Sequence, residues 1–104
     1  MAPSSVARLG PDTVVGVLGA GAMGGGIAQV AARAGHRVVL ADTSEGQVTR
    51  ARDDFARVLA RDVEKGRLTS EQAAATADRV AHVVRGPEAP MDAFADCGIV
   101  IEAI

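Results

Sequence analysis

Tryptophan and tyrosine are absent from this 104-residue sequence, and Phe55 and Phe94 are its only aromatic residues. Two phenylalanines make no platform on which the bases of a single-stranded nucleic acid could stack. The charge balance agrees: 11 basic and 13 acidic residues leave a net charge of −2, which offers no attraction to a phosphate backbone. Cys97 is the sole cysteine, so an intrachain disulfide is excluded, and with only His36 and His82 beside it a metal cluster is not expected. No apolar run nears the roughly 18 residues that a membrane-spanning helix needs. The first ten residues also lack the apolar stretch of a secretory signal. The expectation is a cytoplasmic chain that contacts neither membrane nor nucleic acid.

What the chain does have is small and apolar. Apolar residues make up 48% and charged residues 23%, which suits one buried core. Residues 1–12 show no periodicity and read as a loose tail, leaving 13–104 as a single domain. Thr13–Leu18 is a β-branched run of the kind that buried parallel strands use. It leads into Gly19-Ala-Gly-Ala-Met-Gly-Gly-Gly26, after which Ile27, Val30, Ala31 and Ala34 recur at helical spacing. A helix from about Ala22 should stop at Gly35, and Arg37–Ala41 reads as a second buried strand ending at Asp42.

Beyond Asp42, Ser44 is a suitable cap for a long helix to about Lys65, closed by Gly66. Val48, Ala51, Phe55, Val58, Leu59 and Val63 form its apolar stripe, with Arg and Asp on the other faces. Thr69 and Gln72 have capping-box spacing and open a short helix to about Asp78. Arg79–Val84 reads as a third strand, Gly86–Pro90 as a loop, Met91–Asp96 as one helical turn and Gly98–Ile104 as a fourth strand. An apolar strand in that position needs covering on both faces and edges, so the expectation is a piece of a longer protein. The pattern predicts a Rossmann-type, doubly wound parallel α/β sheet, incomplete after its fourth strand, with a helical hairpin inserted between strands two and three.

Gly19-x-Gly21-x-x-Gly24 gains its meaning from context: a strand before it, a helix after it and an acid ending the next strand. The first glycine allows the tight turn, the second removes a Cβ between backbone and pyrophosphate, and the third lets the helix pack closely. The helix start then offers unpaired amides to the pyrophosphate. Asp42 lies 18 residues past Gly24, near the spacing of about 20 for an acid that binds the adenosine ribose. Its negative charge would repel a 2′-phosphate, which favours NAD over NADP. The competing reading is a flavodoxin-like or other α/β turn whose glycines serve packing alone.

The segment Val15–Asp42 closely resembles the start of the NAD-binding domain of 3-hydroxyacyl-CoA dehydrogenases. The similarity rests on Met23 before the third glycine, Gly26-Ile-Ala-Gln29, Ala34-Gly-His36, Val63-Glu-Lys-Gly-Arg-Leu-Thr69 and Ile99-Val-Ile-Glu-Ala-Ile104. It extends over about residues 13–104. β-Hydroxyacid dehydrogenases share a Gly-x-Gly-x-Met-Gly start, but Asp42-Thr-Ser44 departs from the NADP-accepting sequence that usually follows their second strand.

The resemblance implies an oxidoreductase that interconverts 3-hydroxyacyl-CoA and 3-oxoacyl-CoA by hydride transfer, on short-chain substrates such as 3-hydroxybutyryl-CoA, as a homodimer. It places the cofactor at Gly19, Ala20, Gly21, Ala22, Met23 and Gly24, with Asp42 on the ribose and Ala103 bordering the site. Lys65 matches a family lysine that reaches the CoA nucleotide; the competing reading is a solvated cation that the dipole favours at the helix end. Val58 stands where the family can place a serine for the same ligand, a departure that weakens this match. The family's catalytic His–Glu pair would follow Ile104, so no residue here is assigned to catalysis. His36 and His82 read as structural, Glu102 as a brace for the loop after it, and Met23 as a packing residue whose backbone faces the cofactor. A stand-alone NAD-binding module, or an inactive remnant, is the alternative to an enzyme.

Overall fold

A computed structural model of the chain describes residues 10, 12–85 and 94–103. Most of the expected tail over 1–12, the loop at 86–90 and the start of the turn at 91–96 lie outside the described residues. The elements run β1 (Val15–Leu18), α1 (Ala22–Arg33), β2 (Val38–Asp42), α2 (Glu45–Glu64), α3 (Ser70–Asp78), β3 (Val80–Val84) and β4 (Ile99–Glu102). The strands form one sheet in the order β3-β2-β1-β4, and every pairing is parallel. Val15 of β1 stands level with Val38 on one side and Ile99 on the other. The chain thus grows away from β1 in both directions, and the reversal falls between β1 and β4. Ligands of open α/β sheets gather at such a switch point, beyond the C-terminal strand ends.

β-Branched residues make the sheet centre and alanines let the helices approach it. Val15, Val17, Val38 and Leu40 are fully buried beneath Ala28, Ala31 and Ala32 of α1 and Val48, Phe55 and Leu59 of α2. Both long crossover helices end in the same way. Gly35 (φ +100°) and Gly66 (φ +73°) take the left-handed conformation. The Gly35 and His36 amides donate back to Ala32 and Ala31, and the Gly66 and Arg67 amides to Val63 and Asp62. These are Schellman closures, and they turn the chain sharply out of each helix. Ser44 caps α2 by accepting from the Gln47 amide, and Thr69 and Gln72 form a reciprocal capping box on α3.

Two expectations need correction. The strand expected over Thr13–Leu18 begins at Val15, with the Thr13 carbonyl accepting from Nδ1 of the buried His36 at 3.0 Å. The apolar stripe of α2 ends on an acid rather than on Val63: Asp62 is buried, whereas Val58 and Val63 are only half-buried. The expectation of an incomplete sheet agrees with β4: among the described residues it pairs with β1 alone, and Ile99 and Val100 remain exposed.

Asp62 joins three elements. One carboxylate oxygen lies 2.8 Å from Arg33 at the end of α1, and the other lies 3.5 Å from Arg67 in the hairpin turn. The hydrogen bond from Arg33 holds the Asp62 carboxyl below its ordinary value despite burial, with the charges of Arg33 and Arg67 adding to the effect. Because the folded-state value is depressed, its stabilisation is fully present above the ordinary carboxylate range and disappears as the pH falls through the folded value. Asp62→Asn is therefore expected to lower the melting temperature at about pH 7, with the gap to wild type closing towards about pH 3. A gap that stays constant over that range in thermal denaturation would show that the ion pairs contribute nothing.

Candidate functional site

The glycine turn fills the space between the end of β1 and the start of α1. Gly19 has φ +108°, a conformation that side chains disfavour. Its amide donates to the Ala41 carbonyl at 2.8 Å, and the next amide, of Ala20, donates to Asp42 Oδ2 at 2.8 Å. Gly21 is the N-cap of α1, and a Cβ placed on it would meet nothing within 4 Å. Gly24 is the opposite case: a Cβ there would run into the Gly19 carbonyl. Gly19 and Gly24 thus take the turn and close-packing roles expected of them, and Gly21 leaves its face of the turn open.

Among the described residues no side chain caps α1, and its first turn carries no acid. Its leading amides and the positive end of its dipole are left for an anion. Beside them opens a cleft of about 370 Å³, lined by Leu18, Gly19, Gly21, Asp42, Thr43, Gln47, Arg85 and Ala103. It collects the C-terminal ends of all four strands, at the switch point. Asp42 is partly exposed there and accepts from Ala20 and Ser44. The Ala20 amide, opposed by burial and helped by the Ser44 and Thr43 amides and the Thr43 hydroxyl, keeps its carboxyl below the ordinary range. An ionised acid beside an uncapped helix start and an open glycine backbone fits a dinucleotide: diol acceptor on one side, pyrophosphate donors on the other.

Of the residues expected at the cofactor, the turn 19–24, Asp42 and Ala103 come together. Ala103 is held by its amide, which donates to the Leu18 carbonyl at 2.8 Å. Met23 is not a packing residue: its side chain is 68% exposed, because at the second position of α1 it points away from the sheet. Lys65 lies outside the cleft. It caps the far end of α2, about 30 Å of helix away from the cleft-side terminus, and is exposed. Neither histidine lines the cleft. His82 is half-buried in β3, where burial, with the Arg52 charge, pushes its imidazole down. Thr43, Gln47 and Arg85 are cleft residues that sequence reasoning missed. Arg85 directly follows β3, so the rule about strand ends could have found it; Gln47 carries no such signal.

The profile of the 3-hydroxyacyl-CoA dehydrogenase NAD-binding domain matches residues 14–104. The chain is 42% identical over 89 residues to the 3-hydroxyadipyl-CoA dehydrogenase of Escherichia coli, covering 86% of this chain and 18% of that protein. It is 41% identical over 88 residues to the 3-hydroxybutyryl-CoA dehydrogenase of Bradyrhizobium diazoefficiens, covering 85% and 28%. The solved (S)-3-hydroxybutyryl-CoA dehydrogenase of Ralstonia eutropha superposes with a TM-score of 0.77 at 35% identity, covering 88% and 31%. The chain thus spans under a third of the length of these relatives.

Gly24→Ala tests the close contact. Forcing a Cβ against backbone is expected to cost about 3 kcal/mol or more, the upper end for overpacking, with loss of cofactor binding. Gly21→Ala, with open space around it, should leave the stability within about 1 kcal/mol of wild type and impair binding alone. Denaturant titrations of the two variants make the comparison.

Proposed function

The chain belongs to the 3-hydroxyacyl-CoA dehydrogenase family as its NAD-binding domain, and on that premise we propose that it serves an enzyme acting on short-chain 3-hydroxyacyl-CoA. The observation that carries the reading is the single cleft shared by the glycine turn and Asp42. Amides of the turn and of the α1 start, over Gly19–Gly24, would hold the pyrophosphate. Asp42 would accept from the adenosine ribose hydroxyls and turn away a 2′-phosphate by like charge. Ala103, anchored on Leu18, would border the site. NAD supplies a hydride acceptor for the alcohol at C3 of the substrate, or the reduced form a donor to the ketone. No residue of this chain is assigned to the proton transfer that accompanies it.

In this reading the substrate is an acyl-CoA such as 3-hydroxybutyryl-CoA, and Lys65, at the exposed hairpin tip, meets its nucleotide phosphates. The whole protein is a cytoplasmic homodimer. Among the described residues no helix is long and apolar enough to cross a membrane. That 13–104 forms one domain behind a separate tail is supported by the matched span, 14–104.

The absence of Trp and Tyr leaves NADH fluorescence free of protein emission, so titration is direct. NADH is expected to bind at least about tenfold tighter than NADPH, and Asp42→Ala to weaken NADH and narrow the ratio. Equal affinity for both cofactors in wild type would sink the assignment of Asp42. In the longer protein, Asp42→Ala should raise KM for NAD and Lys65→Ala should raise KM for 3-hydroxybutyryl-CoA, each leaving the other KM unchanged. An unaltered acyl-CoA KM in Lys65→Ala removes that contact.

A further inference from the structure

Asp42 does something before any ligand arrives. In a regular strand successive amides point to opposite sides, one towards each neighbouring strand. At the end of β1 this alternation breaks. Gly19, at φ +108°, turns the chain so that two consecutive amides face β2: that of Gly19 meets the Ala41 carbonyl, and that of Ala20 meets Asp42 Oδ2, both at 2.8 Å. The second acceptor is a side chain, reached across 22 residues of sequence. The other oxygen of the same carboxylate accepts from the Ser44 amide, also at 2.8 Å, which sets the direction of the group. Ala20 is 3% exposed, so without Asp42 its amide would be left in a place that water hardly reaches.

We propose that Asp42 is a positioning residue for the glycine turn in addition to a ribose ligand: its carboxylate clasps the Ala20 amide and so holds the 19–21 backbone in its binding geometry. The proposal rests on the reading of this cleft as an NAD site. The Ala20 and Ser44 amides take one acceptor direction on each oxygen, and the Thr43 amide and hydroxyl also lie beside the carboxylate. Of its about four directions, those facing Thr43 are the ones a diol would take over. Both roles are open to Asp42 at once. The consequence is that part of the affinity lost with Asp42 does not pass through the ribose hydroxyls.

An NADH analogue whose adenosine ribose lacks both the 2′ and 3′ hydroxyls separates the two roles. If Asp42 acted through the diol alone, Asp42→Ala would bind this analogue as well as wild type does. The clasp instead requires Asp42→Ala to bind it about fivefold or more weakly, the effect of one lost hydrogen bond, and Asp42→Asn, which keeps one acceptor oxygen, to fall in between. In the ligand-free protein, the Ala20 amide should exchange hydrogen at least about fivefold faster in Asp42→Asn than in wild type, while that of Val17 is unchanged. Equal analogue affinity across wild type and variants overturns the clasp, and so does rapid exchange at Ala20 in wild type. Failure of wild type to bind NADH would refute the NAD reading instead, and exchange at Ala20 would still decide the clasp. Should Asp42→Ala not fold, Asp42→Asn and the wild-type exchange rate distinguish the two roles.

Discussion

Helix α1 begins so close to the end of β1 that no side chain fits between them, and the rest of the structure depends on that approach. Gly24 lies against the Gly19 carbonyl, which brings the helix start over the strand end and beside the cleft. A helix displaced by even one methyl group would lift Ala28, Ala31 and Ala32 off the sheet. Core packing and the place of the helix start beside the cleft are therefore set by the same contact. This explains how a short chain with almost no aromatic residues builds a dense interior: alanine and glycine on the helix allow short distances, and valine and leucine on the strands fill them.

Two acids join what the backbone leaves apart. Asp42 connects the end of β1 to the turn after β2, and Asp62 connects the end of α1 to the hairpin. Both are held below their ordinary range by donors arranged around them. They differ in what remains free. Asp62 is buried and satisfied by arginines, so its role is confined to holding the hairpin. Asp42 is partly exposed and lines the cleft, so in the proposed reading it serves both structure and recognition.

The division of labour within the family follows from this geometry. The chain is the NAD-binding domain of its family, and it spans less than a third of the relatives it matches. The groups that would move protons and recognise an acyl chain are not among the residues brought to the cleft. Lys65, at the far end of α2, stands at the opposite end of the hairpin from the nucleotide cleft, where a second ligand could be met without disturbing the first. The Arg33–Asp62–Arg67 ion pairs fix the hairpin against α1 just three residues from that lysine.

Much of the site was legible because its signals are local. The positive φ of Gly19, the open face of Gly21 and the tight approach of Gly24 are demands on single residues, and each leaves a glycine in the sequence. Helix starts and stops were readable for the same reason: Ser44, Thr69, Gly35 and Gly66 act on neighbours within a turn. Asp42 could be placed by counting, since one βαβ unit fixes the distance from turn to acid. What counting could not supply was the company each residue keeps across the fold. The Ala20 amide and Asp42 are 22 residues apart, and Arg33 and Asp62 are 29 apart. On a helical wheel Asp62 falls on the Val48–Ala51–Phe55–Leu59 face, but its charge kept it out of the apolar stripe, and Met23 looks like one more apolar residue on α1. Packing buried the first against Arg33 and left the second in solvent. The sequence by itself determined the order of elements, the nucleotide turn and its acid, because these follow from spacing along one chain segment. Only the tertiary structure decided that Asp42 also grips the turn, that Asp62 joins the hairpin to the core, and that Gln47 and Arg85 enter the cleft. Those contacts depend on how distant segments stack, and hydrophobic periodicity carries no record of which polar groups will meet.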